Sequence, residues 1–566
     1  MAFLRNEMLF FTTSPRTPIK MIPEIALLAE FFLHQKWNKD TQKQYALKLE
    51  KADFFEGKTS QYDSAFSARD RITRAPKALG FVDLDPKIQI TQAGNELLTS
   101  KHPHEIFLRQ ILKFQLPSPY HKEIEILKGK FCIKPYLELM RLIRDLEYLT
   151  FDEAKIFLFQ LTDYKKYDIV KNKILKFRTK VENNRGKYKL IVHETWNKEI
   201  EKIFNVEIIT GNTKTRESSD LSLKNFMKTK RGTMRDYTDA AFRYLRFTGL
   251  LSITERGKIS FFLNKLVEVD YILHNVDRNP IFCDRIDKYK ENLFDRDKPL
   301  LYTDIKDNII DLILRSSDDY TKKILTNKSI DELKNLREQI IISKKEVIVN
   351  SQIVKLKDKS FSLYSEIIDT YNEILTNDLF DAPLMMEWNT WRAMTMIDGG
   401  IIKGNFNLDD NGYPMSTAQG NMPDIECDYG KFVLSVEVTL QSGQRQYESE
   451  GEPVSRHYGQ LKKRTGKETY CLFIAPTINN ATLAHFFTIN RTDIAYYGGK
   501  SNIIPLELDL FMKLIENSYN FEGYPNTSDI HCFLKSLVQR SATAQNENDW
   551  LEGINLIVNN WPKKHS

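Results

Sequence analysis

The chain is 566 residues long, enough for three or four domains at about 150 residues each, and its 41% hydrophobic and 28% charged residues are ordinary for globular protein with sizeable cores. No apolar run approaches the ~18 residues of a membrane helix, and the N-terminal stretch from Met1 to Lys20 lacks an apolar segment ending in a small-residue cleavage site, so membrane and secreted classes are not expected. The net charge of +6 permits a nucleic-acid partner without arguing for one, so charge has to be read locally.

Five cysteines (Cys132, Cys283, Cys427, Cys471 and Cys532) lie far apart and form no C-x-x-C pair. Reduced core thiols in a cytoplasmic protein are therefore expected, not a cysteine-based zinc site.

Residues 1–283 read as helices with short strand pairs, and two segments share one layout. In the first, Ser67 to Leu79 predicts a helix whose Ala68, Ile72, Ala75 and Leu79 form a buried i, i+4, i+7, i+11 stripe. Arg69, Arg71, Arg74 and Lys77 are its basic residues, and Pro76 bends it or ends it early. A hairpin follows around Asp85-Pro86, then a helix start at Ala93-Gly94. Helix, hairpin, helix is the order of a winged-helix unit, in which one helix enters the major groove.

Between the two copies, Ile133 to Arg178 predicts two or three packed helices. The second copy is a helix over Asp236 to Thr248, a strand, a turn at Glu255-Arg256-Gly257 and a second strand from Lys258. Ala241, Leu245 and Thr248 supply its inward stripe, with Arg235, Arg243 and Arg246 expected to face elsewhere. A polar, basic stretch lies just upstream, with Lys214, Arg216, Lys224, Lys228, Lys230 and Arg231, suited to contacting DNA phosphates. A basic helix face alone is usually just a solvated face; two such units in one chain make DNA binding the better reading.

Residues 284–375 carry Lys, Asp, Glu and Ile at helical spacing and predict amphipathic helices, a linker between two functional parts. Residues 376–566 change character. A helix (Leu384 to Ile397) precedes a turn at Asp398-Gly399-Gly400; then come Pro423-Asp424-Ile425-Glu426-Cys427, an apolar strand from Phe432 to Leu440, a helix near Val454 to Lys463, a strand from Thr469 to Pro476, a helix around Ala481 to Phe487, and Ile503 to Leu506. This is a mixed α/β layer with a short central sheet.

Asp424 opens one strand and Glu437 sits thirteen positions on, inside an otherwise apolar strand. A carboxylate there costs several kcal/mol unless it is paired or bound to a cation. Two carboxylates meeting across a hairpin suit Mg²⁺, which takes one or two carboxylates, waters and phosphate oxygens.

Pro423-Asp424 with Glu437-x-Thr439 resembles the PD-(D/E)xK nucleases, and VEVTLQSGQRQYESEGEPVSRHYGQL (Val436 to Leu461) resembles the AlwI, MlyI and PleI group of Type IIS restriction endonucleases and their nicking relatives. The resemblance covers most of the chain. It implies a multidomain α+β protein: a winged-helix-rich DNA-recognition region, a helical linker and a C-terminal α/β nuclease domain. It implies Asp424 and Glu437 as metal-binding carboxylates, Glu387 as the upstream acid completing the metal site, and Glu450 and His457 as the acid and histidine beyond the strand. Thr439 stands where the wider superfamily has lysine, so His457 is the expected substitute in proton transfer, with Glu450 orienting it or acting through water. Lys462 and Lys463 are the other substitutes to weigh. The plain alternatives are that Glu387 pairs with Arg392, that Glu450 belongs to a solvated acidic turn with Glu448 and Glu452, and that His457 is a packed histidine.

The resemblance further implies double-stranded DNA as substrate, Mg²⁺ as cofactor, a GAGTC-like asymmetric site, a cognate DNA methyltransferase and a bacterial cytoplasm. One apparent nuclease site per chain implies nicking, with double-strand cleavage needing a transient homodimer or a second nuclease subunit. The rivals are a transposition or repair endonuclease with the same core, and a winged-helix DNA-binding regulator with an inactive nuclease-like domain.

Overall fold

The computed structural model describes residues 8–52, 54–55, 63–121, 129–184, 186–215, 218–254, 257–281, 286–376, 379–397, 399–418, 422–520 and 525–561. Arg216, Glu255, Arg256, Cys283 and Asp398 lie outside them. The architecture is mixed α and β, mostly helical with small sheets, and its contacts divide it into two compact units, Met1–Ser343 and Lys344–Ser566. Among the described residues no helix is long and apolar enough to cross a membrane.

In the first unit the helix–hairpin–helix order appears twice. Ser64–Thr73 is a helix started by Asp63, whose side chain accepts from the Phe66 amide. It breaks at Arg74 and resumes as Ala75–Ala78, with Pro76 in the first turn, the position proline tolerates. The expected inward stripe holds: Ala68, Ile72, Ala75 and Leu79 are fully buried. Val82–Asp83 pairs antiparallel with Gln89–Ile90, and the helix Gln92–Thr99 follows, capped by Thr91. The region between the copies supplies the helices Pro135–Asp145, Phe151–Phe157 and Tyr167–Glu182.

The second copy differs from expectation in two ways. Its helix is Leu223–Arg246, twenty-four residues long, so Lys224, Lys228, Lys230 and Arg231 are helical and do not lie in an irregular stretch. Ser222 caps it by accepting from the Asn225 amide; the basic residues hid the pattern because Phe226, Met227 and Met234 alone carry the buried face there. Arg246, expected to face away from the core, is buried (4% exposed). The last two turns of this helix are enclosed on more than one side, since Thr238 to Phe242 and Tyr244 to Arg246 are all buried, which a single apolar stripe does not reveal. The strands Leu251–Ile253 and Lys258–Phe261 pair antiparallel, and Leu149–Thr150 adds a third strand on the other side of Lys258–Phe261. Residues 286–375 are mostly helical, with helices from Ile286–Phe294 to the 28-residue Ile330–Lys357 and Phe361–Leu375.

The second unit is organised on a five-stranded sheet in the order Ile503–Glu507, Glu468–Ala475, Phe432–Val438, Ile425–Asp428, Ile401–Gly404. The first three strands run parallel and the last two are antiparallel to their neighbours. Phe432–Val438 and Glu468–Ala475 are near-continuous apolar runs because both faces of a central strand are covered. The edge strand Ile401–Gly404 and the helices Leu508–Tyr519, Thr527–Thr543 and Glu547–Asn559 were not anticipated; the strand is short and half exposed, so its pattern is weak. The helix expected from Val454 starts ten residues earlier, as Gln444–Thr465, and runs through Gly451 and Pro453. A Cβ on Gly451 would stand 3.2 Å from the Tyr447 ring, so glycine marks close packing there and not a break.

Candidate active site

The strand register decides how the two central carboxylates meet. Val436 lies opposite Ile425 in the antiparallel pair, and one further step places Glu437 opposite Asp424. Residues directly opposite in such a pair share a face, with Cβ atoms about 5 Å apart. Asp424 Oδ2 accepts from the Val438 amide at 2.8 Å, which turns the carboxylate toward the Phe432–Val438 strand. Glu437 is buried at 6% exposure.

Asp424 is held by a residue that sequence reasoning missed. Asn405, just past the edge strand, donates its backbone amide to the Asp424 carbonyl (2.9 Å) and its side-chain Nδ2 to the Pro423 carbonyl (2.7 Å) and to Glu426 Oε1 (3.2 Å). The one signal was an asparagine following glycine at a strand end, common in turns.

Glu437 lies in the strand and Thr439 two residues on, just past its end, and Glu450 and His457 sit seven apart, two turns, on one face of the Gln444–Thr465 helix. The two periodicities bring them together in pairs: His457 Nδ1 lies 3.0 Å from Glu437 Oε1, and Thr439 Oγ1 donates to Glu450 Oε1 at 2.8 Å. Glu450 is thus tied to Thr439 and belongs to a helix instead of an acidic turn. Gln446, fully buried, braces the start of this helix by donating to the carbonyls of Gln441 and Thr477 and accepting from the Asn479 amide. Lys462 and Lys463 are engaged elsewhere, donating to the carbonyls of Lys500 (3.2 Å) and Tyr496 (2.9 Å).

Glu387 projects from Ala382–Ile397, a helix buried on nearly every face, and is itself 7% exposed. Its Oε2 accepts from the Ala418 amide at 3.1 Å. Burial, and then the negative charges of Asp424, Asp381 and Glu437, push its carboxyl well above the usual range, with the Ala418 amide opposing them. Arg392 does not pair with it: the guanidinium donates to Glu366 Oε1 at 2.5 Å and lies over the Trp388 ring. Among the described residues no group of three or more His, Cys, Asp or Glu side chains is arranged to hold a metal ion by itself; what the chain brings together is the facing Asp424 and Glu437, with Glu387 within reach of their charge.

The family described as AlwI restriction endonuclease matches residues 77–514, more than half of the chain and all of the residues just described. The chain belongs to the AlwI restriction endonuclease family. Membership makes it a nuclease of the restriction type. No curated protein matches it. Among solved structures it is similar to the small subunit R.BspD6I2 of the heterodimeric restriction endonuclease R.BspD6I, at 28% identity over 34% of this chain and 97% of that one, with a TM-score of 0.30. It is also similar to the BpuJ1 endonuclease binding domain, solved in complex with pyrene- and phenanthrene-modified DNA, at 15% identity over 52% of this chain and 96% of that one, with a TM-score of 0.34.

The basic residues singled out for DNA contact fall into distinct settings in the first unit of this AlwI-family chain. Arg69 pairs with Asp63 (3.1 Å), Arg71 with the buried Glu24, Arg74 with Asp70 (2.5 Å), and Arg243 with the buried Asp239 (3.0 Å). Lys77 is half-buried over the Tyr120 ring, and burial pulls its ammonium below the usual lysine range. Lys230 packs over Phe204 and Phe226. Arg231 is braced by His193 and Asn197. Lys214, Lys224 and Lys228 are exposed, and Arg235 is half-buried.

Proposed function

We propose that this AlwI-family protein is a Mg²⁺-dependent, site-specific deoxyribonuclease of the PD-(D/E)xK kind, a Type IIS restriction endonuclease or strand-specific nicking relative. In this reading residues 1–283 recognise a short asymmetric sequence such as GAGTC through two winged-helix-like units. Residues 284–375 form a helical linker, and 376–566 hydrolyse a phosphodiester of double-stranded DNA a few base pairs away. The observation that carries the reading is the pairing of Asp424 and Glu437 face to face across two strands.

The donor set suits Mg²⁺. It is all oxygen, and a hard cation would offset both the burial and the neighbouring negative charge that push the Glu387 carboxyl upward. Mg²⁺ is usually held by one or two carboxylates, with waters and substrate phosphate filling its octahedron. Asp424 and Glu437 would hold the ion and Glu387 would complete the acidic set. When bound, it supplies a lowered pKa for attacking water and positive charge at the scissile phosphate. His457 is the proton-transfer group in place of the superfamily lysine; its ring is oriented through Nδ1 by Glu437. Glu450, oriented by Thr439, places a second carboxylate beside the end of the strand.

One nuclease site per chain cuts one strand at a time, so double-strand cleavage would take a transient homodimer or a second nuclease subunit, and a cognate DNA methyltransferase would protect the host. Incubation of supercoiled plasmid with the protein and Mg²⁺, followed by run-off sequencing of both strands, tests the proposal. Breaks at a fixed offset from one asymmetric sequence are expected. Intact plasmid at every Mg²⁺ concentration would favour a DNA-binding regulator, and breaks set by DNA structure instead of sequence would favour a transposition or repair endonuclease.

A further inference from the structure

We infer that duplex DNA is gripped along one face of the Leu223–Arg246 helix, with Arg231 as the fixed point of that surface; this rests on the reading that the chain binds DNA. Lys224, Lys228, Arg231 and Arg235 recur at i, i+4, i+7 and i+11, a single face spanning about 16 Å of helix axis. Lys224 and Lys228 are exposed, and among the described residues neither meets a carboxylate.

Arg231 differs from Arg69, Arg71, Arg74 and Arg243 in what holds it. Arg69, Arg71, Arg74 and Arg243 each spend their charge on an aspartate or glutamate. Arg231 Nη1 donates instead to His193 Nε2 and Asn197 Oδ1, both at 3.0 Å and both on the neighbouring Tyr188–Ile203 helix. Neither partner is a carboxylate, so the guanidinium is set in place without an acidic group spent on its charge. Pre-ordering of this kind lowers the entropy lost on binding, and a guanidinium held in this way favours a polyanion such as the DNA backbone. A surface that merely solvates the helix would need no brace from a second helix.

The test is binding of the full chain to a labelled duplex of random sequence, without divalent cation, at several salt concentrations. Replacing Lys224, Lys228 and Arg231 together by alanine is expected to make the slope of log K against log salt shallower by about three, one per lost phosphate contact. Arg231→Lys is expected to keep the slope while lowering affinity, since it keeps the charge and loses the brace. Arg296→Ala with Arg315→Ala, two exposed arginines outside the recognition region and each paired with an acid, is expected to leave the slope unchanged. A triple variant that melts like the parent and keeps its slope overturns the inference, as does a slope that flattens as much in the Arg296/Arg315 variant. A parent chain that does not bind duplex DNA overturns the DNA-binding reading itself, a result separable from the other two.

Discussion

His457 and Glu437 meet at 3.0 Å between ring Nδ1 and carboxylate Oε1, one on a helix and the other on the strand beneath it, both more than nine-tenths buried. The same carboxylate faces Asp424 across the neighbouring strand, so a single glutamate joins the acidic pair to the imidazole. The proposed chemistry turns on this junction.

Asp424→Ala should abolish cleavage, by about a thousandfold or more, because one of the two facing carboxylates is gone. Sequence-specific binding should persist. Gel-shift and nicking assays on the same preparation check this; equal loss of binding and cleavage would contradict the division between recognition and cutting.

Asn405→Ala should lower cleavage by roughly 10–100-fold, the usual effect of removing a residue that orients a metal ligand. The side chain touches the Pro423 carbonyl and Glu426, not the reacting groups. The deficit should therefore shrink as Mg²⁺ is raised, in a titration of nicking rate against Mg²⁺. A deficit independent of Mg²⁺ would show that Asn405 acts otherwise than by holding Asp424.

Glu387→Gln should stabilise the metal-free protein at neutral pH while impairing cleavage. The folded carboxyl titrates above its ordinary value of 4.5, so the unfolded chain loses its proton first as pH rises. Its contribution is thus fully present below about pH 4.5 and declines as pH climbs toward the folded-state value. The variant should melt higher than the parent at pH 8, by about 1–3 kcal/mol of stability, with the gap closing near pH 4. A gap that widens toward acid pH would mean the sign is wrong.

Arg71→Ala should act on stability before it acts on DNA. Glu24, 1% exposed, would be left buried without its guanidinium, a change that costs about 3 kcal/mol when one partner of a buried pair is removed. Denaturant titration should show the loss. If stability is unchanged and binding falls only at particular bases, Arg71 reads sequence after all.

Thr439→Val keeps the shape and removes the hydroxyl that donates to Glu450. Cleavage should fall about tenfold if the hydroxyl orients that carboxylate, and Thr439→Ser should restore it; the loss corresponds to one hydrogen bond to a charged group. Equal rates in all three would leave Glu450 with no part that depends on Thr439.

Residues whose surroundings are local were legible in the sequence. Glu437 declared itself as a lone charge in an apolar strand, and Ala68, Ile72, Ala75 and Leu79 as a stripe at helical spacing. What escaped was what depends on neighbours distant in the chain. Asn405 holds Asp424 from just past an edge strand too short and too wet to show a period. Arg246 is buried because several segments close around the end of its helix. Gly451 and Pro453 fell outside the helix expected from Val454, although the first is small to make room for Tyr447 and the helix carries the second in its interior. The ties of the basic residues were equally invisible: nothing in the spacing of Arg71 and Glu24 announces that they meet.

The Ala382–Ile397 helix has fifteen of its sixteen residues buried. Such a segment has no wet side from which to fray, so its amides should exchange with deuterium only when the surrounding core opens. The acid it carries, Glu387, is therefore mounted on slow-moving material and not on a loop. Loosening the packing of Trp388 or Trp391 would blur its position from a distance, and anyone tuning this nuclease should begin elsewhere.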